Sequence, residues 1–139
     1  MRREGGMDWK YLFTSFEGRI NRKPFWLGLL VLIAAQWSVG ILLFAAVGLL
    51  LMSGAGPEMS PRDMFLLKIF GMLLPLVVTL VFLYPSVAIY TKRWHDRGKS
   101  GWWMLILFIP LLGFVWFLIE CGFLQGTEGP NQYGSDPLA

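Results

Sequence analysis

Apolar and polar positions in this chain are sorted into long blocks rather than mixed. Three runs, residues 25–52, 65–90 and 102–124, carry almost no charge and alternate with short charged islands. A helix crosses about 30 Å of hydrocarbon with roughly 20 apolar residues, so each run is long enough to span. The first would measure about 42 Å as a straight helix and must tilt or project beyond the bilayer. It is about twice as long as a signal-peptide core, which argues for its retention. Its clearly polar members are Gln36 and Ser38; the second run holds one charge, Lys68, and the third one, Glu120. The pattern predicts an all-α fold, a polytopic membrane protein with three transmembrane helices and a short N-terminal interfacial helix. In that last element Trp9, Leu12, Phe13 and Phe16 recur at i, i+3, i+4 and i+7 and share one face. It either lies in the membrane interface or packs against the spans. Residues 1–6 are expected to be disordered, with Met7 an alternative start to Met1.

Pro75 and Pro110 each remove a backbone hydrogen bond and are expected to kink their helices. Pro110 with Gly113 also opens a second reading of residues 102–124, a re-entrant hairpin whose halves are too short to cross. Such a hairpin needs protein around its irregular backbone, and it would return the tail to the side of the second loop. In the first span Ala34 and Ser38, with Gly40 nearby, allow close helix approach.

Charge decides the orientation. Arg2, Arg3, Lys10, Arg19, Arg22 and Lys23 precede the first run, and Lys92, Arg93, Arg97 and Lys99 follow the second. The first connection holds only Arg62, and the tail has no Lys or Arg. The positive-inside rule then makes residues 1–24 a cytoplasmic segment, 53–64 an external loop, 91–101 a cytoplasmic loop and 125–139 an external tail. Glu120 then sits near the outer face, close enough to snorkel there and to pair with Lys68. Trp26, Tyr90, Trp94, Trp102 and Trp103 fall at the expected cytoplasmic boundaries, where amphipathic rings favour the headgroup layer.

Composition agrees with this picture. Charged residues are 15% of the chain against 55% hydrophobic, below the about 25% charge that clothes a soluble domain. A single cysteine, Cys121, excludes an internal disulfide, and with one histidine, His95, a Cys/His zinc site within one chain is excluded too. No cofactor or metal site is expected, and nothing points to nucleic acid.

Three polar segments flank the apolar runs: residues 16–26, 93–103 and 126–137. They read GR-x-x-R-x-x-FW from Gly18 to Trp26, R-x-HD-x-G-x-SGWW from Arg93 to Trp103, and G-x-x-G-x-N-x-YG-x-DP from Gly126 to Pro137. In order and spacing they resemble the bacterial family known as domain of unknown function 805, over about residues 8–137. That resemblance implies a small inner-membrane protein and assigns no activity.

The chemistry of these segments suggests contact rather than catalysis. Arg93, Arg97 and Lys99, with Ser100 as the N-cap of the third run and Gly98 and Gly101 beside it, form a candidate phosphate cradle for a lipid headgroup. The simpler account makes them positive-inside anchors, each worth about 1 kcal/mol at an anionic leaflet. His95 and Asp96 are adjacent and do not face each other as a base and its orienter would. Gly98-Lys99-Ser100 ends like a nucleotide-binding loop, but its first glycine position is Arg93. Arg19, Arg22 and Lys23 are expected to join Glu17 and Asp96 in one cytoplasmic polar cluster. The candidate lipid or partner contacts are therefore Arg19, Arg22, Arg93, His95, Asp96, Arg97, Lys99 and Ser100. The resulting expectation is a non-catalytic inner-membrane module that binds anionic lipid or a membrane protein partner, including a second copy of itself. The alternatives are a subunit of a small oligomeric transporter or channel, and an enzyme acting on a lipid headgroup through His95, Asp96 and Ser100.

Overall fold

The computed structural model describes residues 7–50, 52 and 60–139. The expectations for residues 1–6 and for most of the first connection lie outside the described residues. The described chain is all-α. α1 is Trp9–Thr14, α2 Arg22–Leu50 and α3 Pro61–Asp96. A 3-10 helix, Gly101–Phe108, follows, then α4, Leu112–Phe117, which continues into a π-helical turn, Leu118–Phe123.

α2 and α3 hold 29 and 36 residues and so measure about 43 and 54 Å. Their most apolar stretches have mean hydropathies of 2.3 and 2.5, and almost none of those residues is buried within the chain. A soluble core helix would be buried; these faces are built to meet lipid.

The chain divides into two compact units, Met1–Val31 with Tyr84–Ala139, and Leu32–Leu83. The first contains most of the core. Leu12, Phe25, Ala88, Ile89, Trp94, Phe117 and Cys121 are all buried there. The Phe117 ring lies 4.8 Å from Tyr90, 6.0 Å from Phe25 and 6.3 Å from Trp94, tying the returning helix to α2 and α3. The second unit is two helical stretches whose large apolar side chains are mostly exposed.

Three boundaries differ from the sequence expectation. α3 does not end at the membrane boundary near residue 90 but runs to Asp96, because Thr91–Trp94 are enclosed by the first unit rather than by water. α1 packs inward: Leu12 is buried against Gly28 of α2, where a Cβ would press on Leu12 and Ile89, while Trp9 stays exposed. α1 also ends at Thr14, so Phe16 leaves the expected stripe and meets Tyr84 edge-on at 5.1 Å.

The third difference is the largest. Residues 102–124 are not one continuous helix but two short legs of about 16 and 18 Å, joined at Ile109–Leu111. Pro110 stops the first leg, and Leu112 N–H donates to the Pro110 carbonyl at 2.7 Å across a γ-turn. Leu111 at its centre has φ 61° and ψ −62°. Gly113 begins the return leg so close to the Ile106 carbonyl that a Cβ would overlap it. This is the hairpin geometry that Pro110 and Gly113 left open in the sequence.

A leucine at positive φ carries about 1–3 kcal/mol of strain, offset in a glycine by about 0.5–1 kcal/mol of chain entropy. Leu111→Gly is therefore expected to stabilise the purified protein by about 1 kcal/mol. Leu111→Val is expected to destabilise it. The check is the thermal midpoint in detergent, and a lower midpoint for the glycine variant would contradict the turn.

Candidate functional site

The polar chemistry of the first unit converges on the C-terminal end of α3. Helix termination builds the framework. Gly98 has φ 69°, its N–H reaches the His95 carbonyl at 3.0 Å, and Lys99 N–H reaches the Trp94 carbonyl at 2.9 Å. This paired C-cap needs a residue at positive φ, which is why a glycine follows the HD pair. Ser100 then caps the next element, accepting from Trp102 N–H at 3.4 Å.

Inside that framework lies an ion cluster. The Asp96 carboxylate, 2% exposed, pairs with the buried Arg93 guanidinium one turn earlier and with Arg19 at 3.1 Å. Burial pushes the Asp96 carboxyl up, and the guanidiniums of Arg93 and Arg19 act against that. The remaining donors of both arginines go to backbone carbonyls. Arg19 reaches Thr127 at 2.6 Å and Gly129 at 2.7 Å, and Arg93 reaches Cys121 at 2.6 Å and Leu124. The tail answers with its own donors: Thr127 N–H reaches the Asp96 carbonyl at 2.8 Å, and Asn131 Nδ2 reaches the His95 carbonyl at 2.9 Å. A Cβ at Gly126 would overlap the Asp96 carboxylate, so only glycine lets the tail pass.

Lys92, also fully buried, caps α1. Its ammonium donates to the carbonyls of Tyr11, Leu12 and Ser15 at 2.6–2.7 Å. Burial pushes its pKa down to about 8. Three acceptors call for three N–H bonds, which matches the charged form at neutral pH and the negative end of a helix.

His95 bridges the N-terminal segment and the tail. Its ring stacks on Tyr133 at 3.8 Å, and Nδ1 lies 3.2 Å from the Gly18 carbonyl, so the proton sits on Nδ1. Burial pushes its pKa below the ordinary value, which favours the neutral ring.

Glu120 takes partners other than the one expected. Lys99 Nζ reaches Oε1 at 2.8 Å and Arg97 Nε reaches Oε2 at 3.1 Å. The hairpin brings Glu120 back beside the second loop, where its partners are Arg97 and Lys99 instead of the Lys68 that the sequence offered. The tail meets the same loop, through Thr127 N–H on the Asp96 carbonyl and Asn131 Nδ2 on the His95 carbonyl, where the sequence reading kept the two segments apart. Arg22 is exposed and donates to the Phe123 carbonyl rather than to Asp96. Lys99 also rests over the rings of Trp94 and Trp103 at 5.5 and 5.0 Å.

Of the eight candidate contact residues, Arg19, Arg93 and Asp96 are enclosed and spent on one another and on carbonyls. They have no face left for a headgroup. His95 and Ser100 are half-buried, with His95 Nδ1 on the Gly18 carbonyl and Ser100 Oγ accepting from Trp102 N–H; Arg97 and Lys99 are partly exposed over Glu120, and Arg22 is exposed. Lys92, Glu120 and the carbonyls of residues 121–129 are the members that sequence reasoning missed. A carbonyl has no residue type, so no motif could have announced it. Among the described residues no group of three or more His, Cys, Asp or Glu side chains is placed to hold a metal.

The three segments brought together here are the three that carried the family resemblance. A family model described as "Protein of unknown function (DUF805)" matches residues 13–135. The chain belongs to this family. It is 35% identical to the inner membrane protein YhaH of Escherichia coli strain K12, over 94% of this chain and 97% of that relative. It is 32% identical to the uncharacterized protein YiiR of the same strain, over 91% and 88%. The inner membrane protein YhaI is 30% identical over 90% and 87%. No solved structure matches. Two long lipid-facing helices and relatives named as inner membrane proteins make this a protein of the bacterial inner membrane. In this member the GR-x-x-R segment supplies Arg19, the HD segment supplies Arg93 and Asp96, and the tail motif supplies the carbonyls of Thr127 and Gly129 that Arg19 needs, while Arg93 takes those of Cys121 and Leu124 just before it.

Removing one partner of a buried charge cluster costs about 3–5 kcal/mol because the others stay desolvated. Arg19→Ala is expected to destabilise the protein by that amount and to open the tail to protease. Arg19→Lys is expected to recover little, since an ammonium cannot span the carboxylate and two carbonyls. Thermal unfolding and limited proteolysis in detergent read both effects. A loss under about 1 kcal/mol for Arg19→Ala would show that the cluster does not hold the tail.

Proposed function

We propose that the chain is a non-catalytic, multi-pass module of the inner membrane whose cytoplasmic polar platform rests on anionic lipid headgroups. The observation that carries this reading is the saturation of the buried cluster: the charged groups of Arg19, Lys92, Arg93 and Asp96 are tied to one another or to backbone carbonyls. A nucleophile beside a free base is the signature of covalent chemistry. Here Ser100 Oγ is taken by the Trp102 N–H, the His95 ring is stacked on Tyr133, and no hydrogen bond joins the two side chains. The outward cations Lys10, Arg22 and Lys23 stand exposed at the same polar assembly and supply a lipid-facing charge.

The ten-to-one excess of basic residues puts the N-terminal segment and second loop in the cytoplasm. Since the tail is bonded to both, the same reading makes it cytoplasmic. α2 and α3 are then the two crossings, and the hairpin dips in from the cytoplasmic side. A fluorescent protein that matures only in the cytoplasm, fused after Ala139, is expected to be bright, and alkaline phosphatase fused there inactive. The reverse pair of results would restore three crossings and overturn this topology.

Lipid contact has its own readout. The purified protein is expected to retain phosphatidylglycerol in native mass spectra. With about 1 kcal/mol for each cation, Lys10→Ala with Lys23→Ala should weaken retention roughly thirtyfold. Retention equal to the wild type, or turnover of the lipid that disappears in Ser100→Ala, would defeat the reading.

A further inference from the structure

The second unit contains a groove of about 370 Å³ between the facing stretches of α2 and α3. Gln36 and Gly40 line it from α2, and Gly71, Pro75 and Thr79 from α3. Each set repeats at i and i+4, so each helix turns one face to the groove. A Cβ built on Gly40 or Gly71 would meet nothing within 4 Å, so both glycines leave the groove open at its walls.

One polar group here is left over. Ser38 and Thr79 bend their hydroxyls back to their own helices, onto the carbonyls of Ala34 at 2.7 Å and Pro75 at 2.9 Å. The Gln36 side chain is exposed and makes no hydrogen bond to any described residue. It is the middle residue of α2. If α2 crosses the bilayer, this amide lies near the midplane, where no water replaces the missing partner and each unmade bond costs several kcal/mol.

We infer that this groove is an association surface for a second copy of the chain, with the Gln36 amides of the two copies hydrogen-bonded to each other across a two-fold axis. An acyl chain fills an apolar groove but offers no donor or acceptor. A carboxamide is both, so two related by a two-fold axis satisfy one another, as a self-complementary contact requires. Gly40, one turn from Gln36 on the same face, allows the close backbone approach that such a pair needs. The inference rests on the crossing assigned to α2 above.

The test uses the full chain in vesicles of phosphatidylethanolamine and phosphatidylglycerol, with donor- and acceptor-labelled copies mixed and diluted in lipid. Energy transfer that follows a dimer dilution curve is expected. An interhelical polar bond is worth about 1–2 kcal/mol, so Gln36→Leu should weaken association about tenfold, while Gln36→Asn keeps most of it. Gly40→Leu, which fills the groove and keeps the Gln36 side chain in the sequence, should also weaken it. Leucine suits a lipid-facing helix, and an unchanged helical spectrum shows that each variant is folded. No transfer at any protein-to-lipid ratio would overturn the pairing, including the case in which a polar residue of a different membrane protein covers the groove. Undiminished transfer in Gln36→Leu would overturn the role of the amide. A bright reporter at the tail together with absent transfer would remove the dimer and leave the topology standing.

Discussion

An aspartate that is almost wholly removed from solvent has to find charge and hydrogen bonds inside the protein, and Asp96 finds them in Arg93 and Arg19. Two guanidiniums carry more donors than one carboxylate can accept. The surplus forces a second layer, and the acceptors it takes are main-chain carbonyls. Those carbonyls come from residues 121–129, which is why a stretch rich in Gly, Pro and Asn becomes ordered across the end of α3. Buried ion pairs are weak contributors to net stability, because desolvation consumes most of the attraction. Their strength is in specificity: any arrangement that leaves one member unpaired is heavily penalised. Here that penalty selects one path for the chain.

That path reshapes the third apolar run. A helix that crossed fully would carry Leu124 and the tail away from Arg19 and Arg93 and strand both. A turn at Pro110 and Leu111 returns the run, and the return leg delivers the Cys121 carbonyl to Arg93 and the Glu120 carboxylate to Arg97 and Lys99. The strained turn and the ion cluster are therefore two ends of one arrangement, with the cost at the turn set against the saturation of the charges.

The two units follow different solvents. In the first, polar groups are buried by protein and are paired almost without exception; Trp94 Nε1 is the buried side-chain atom that lacks a partner among the described residues. In the second, apolar side chains face outward, and lipid takes the place of a core. A polar group there has no water to fall back on. The same rule that saturates Asp96 inside the protein makes Gln36, an unpartnered amide on a lipid-facing helix, a pointer to another chain.

Much of this was legible along the sequence. Long uncharged runs and basic islands are one-dimensional properties, and they determined the all-α membrane fold and the two long helices. The three motif segments marked the family and the part of the chain where the polar chemistry lies. Pro110 and Gly113 exposed the third run as the one open to a break. What only the tertiary structure decided was which way that run goes and what each charge is for. Arg19, Arg93 and Asp96 looked like headgroup contacts because sequence shows a cation at a membrane boundary but not whether its guanidinium faces lipid or a carbonyl. Glu120 looked like a partner for Lys68 because the sequence does not show which loop a returning leg meets. Hydropathy reports the solvent a residue prefers. The partner that satisfies a buried charge is set by which carbonyls the folded chain brings to it, and carbonyls are the same in every residue.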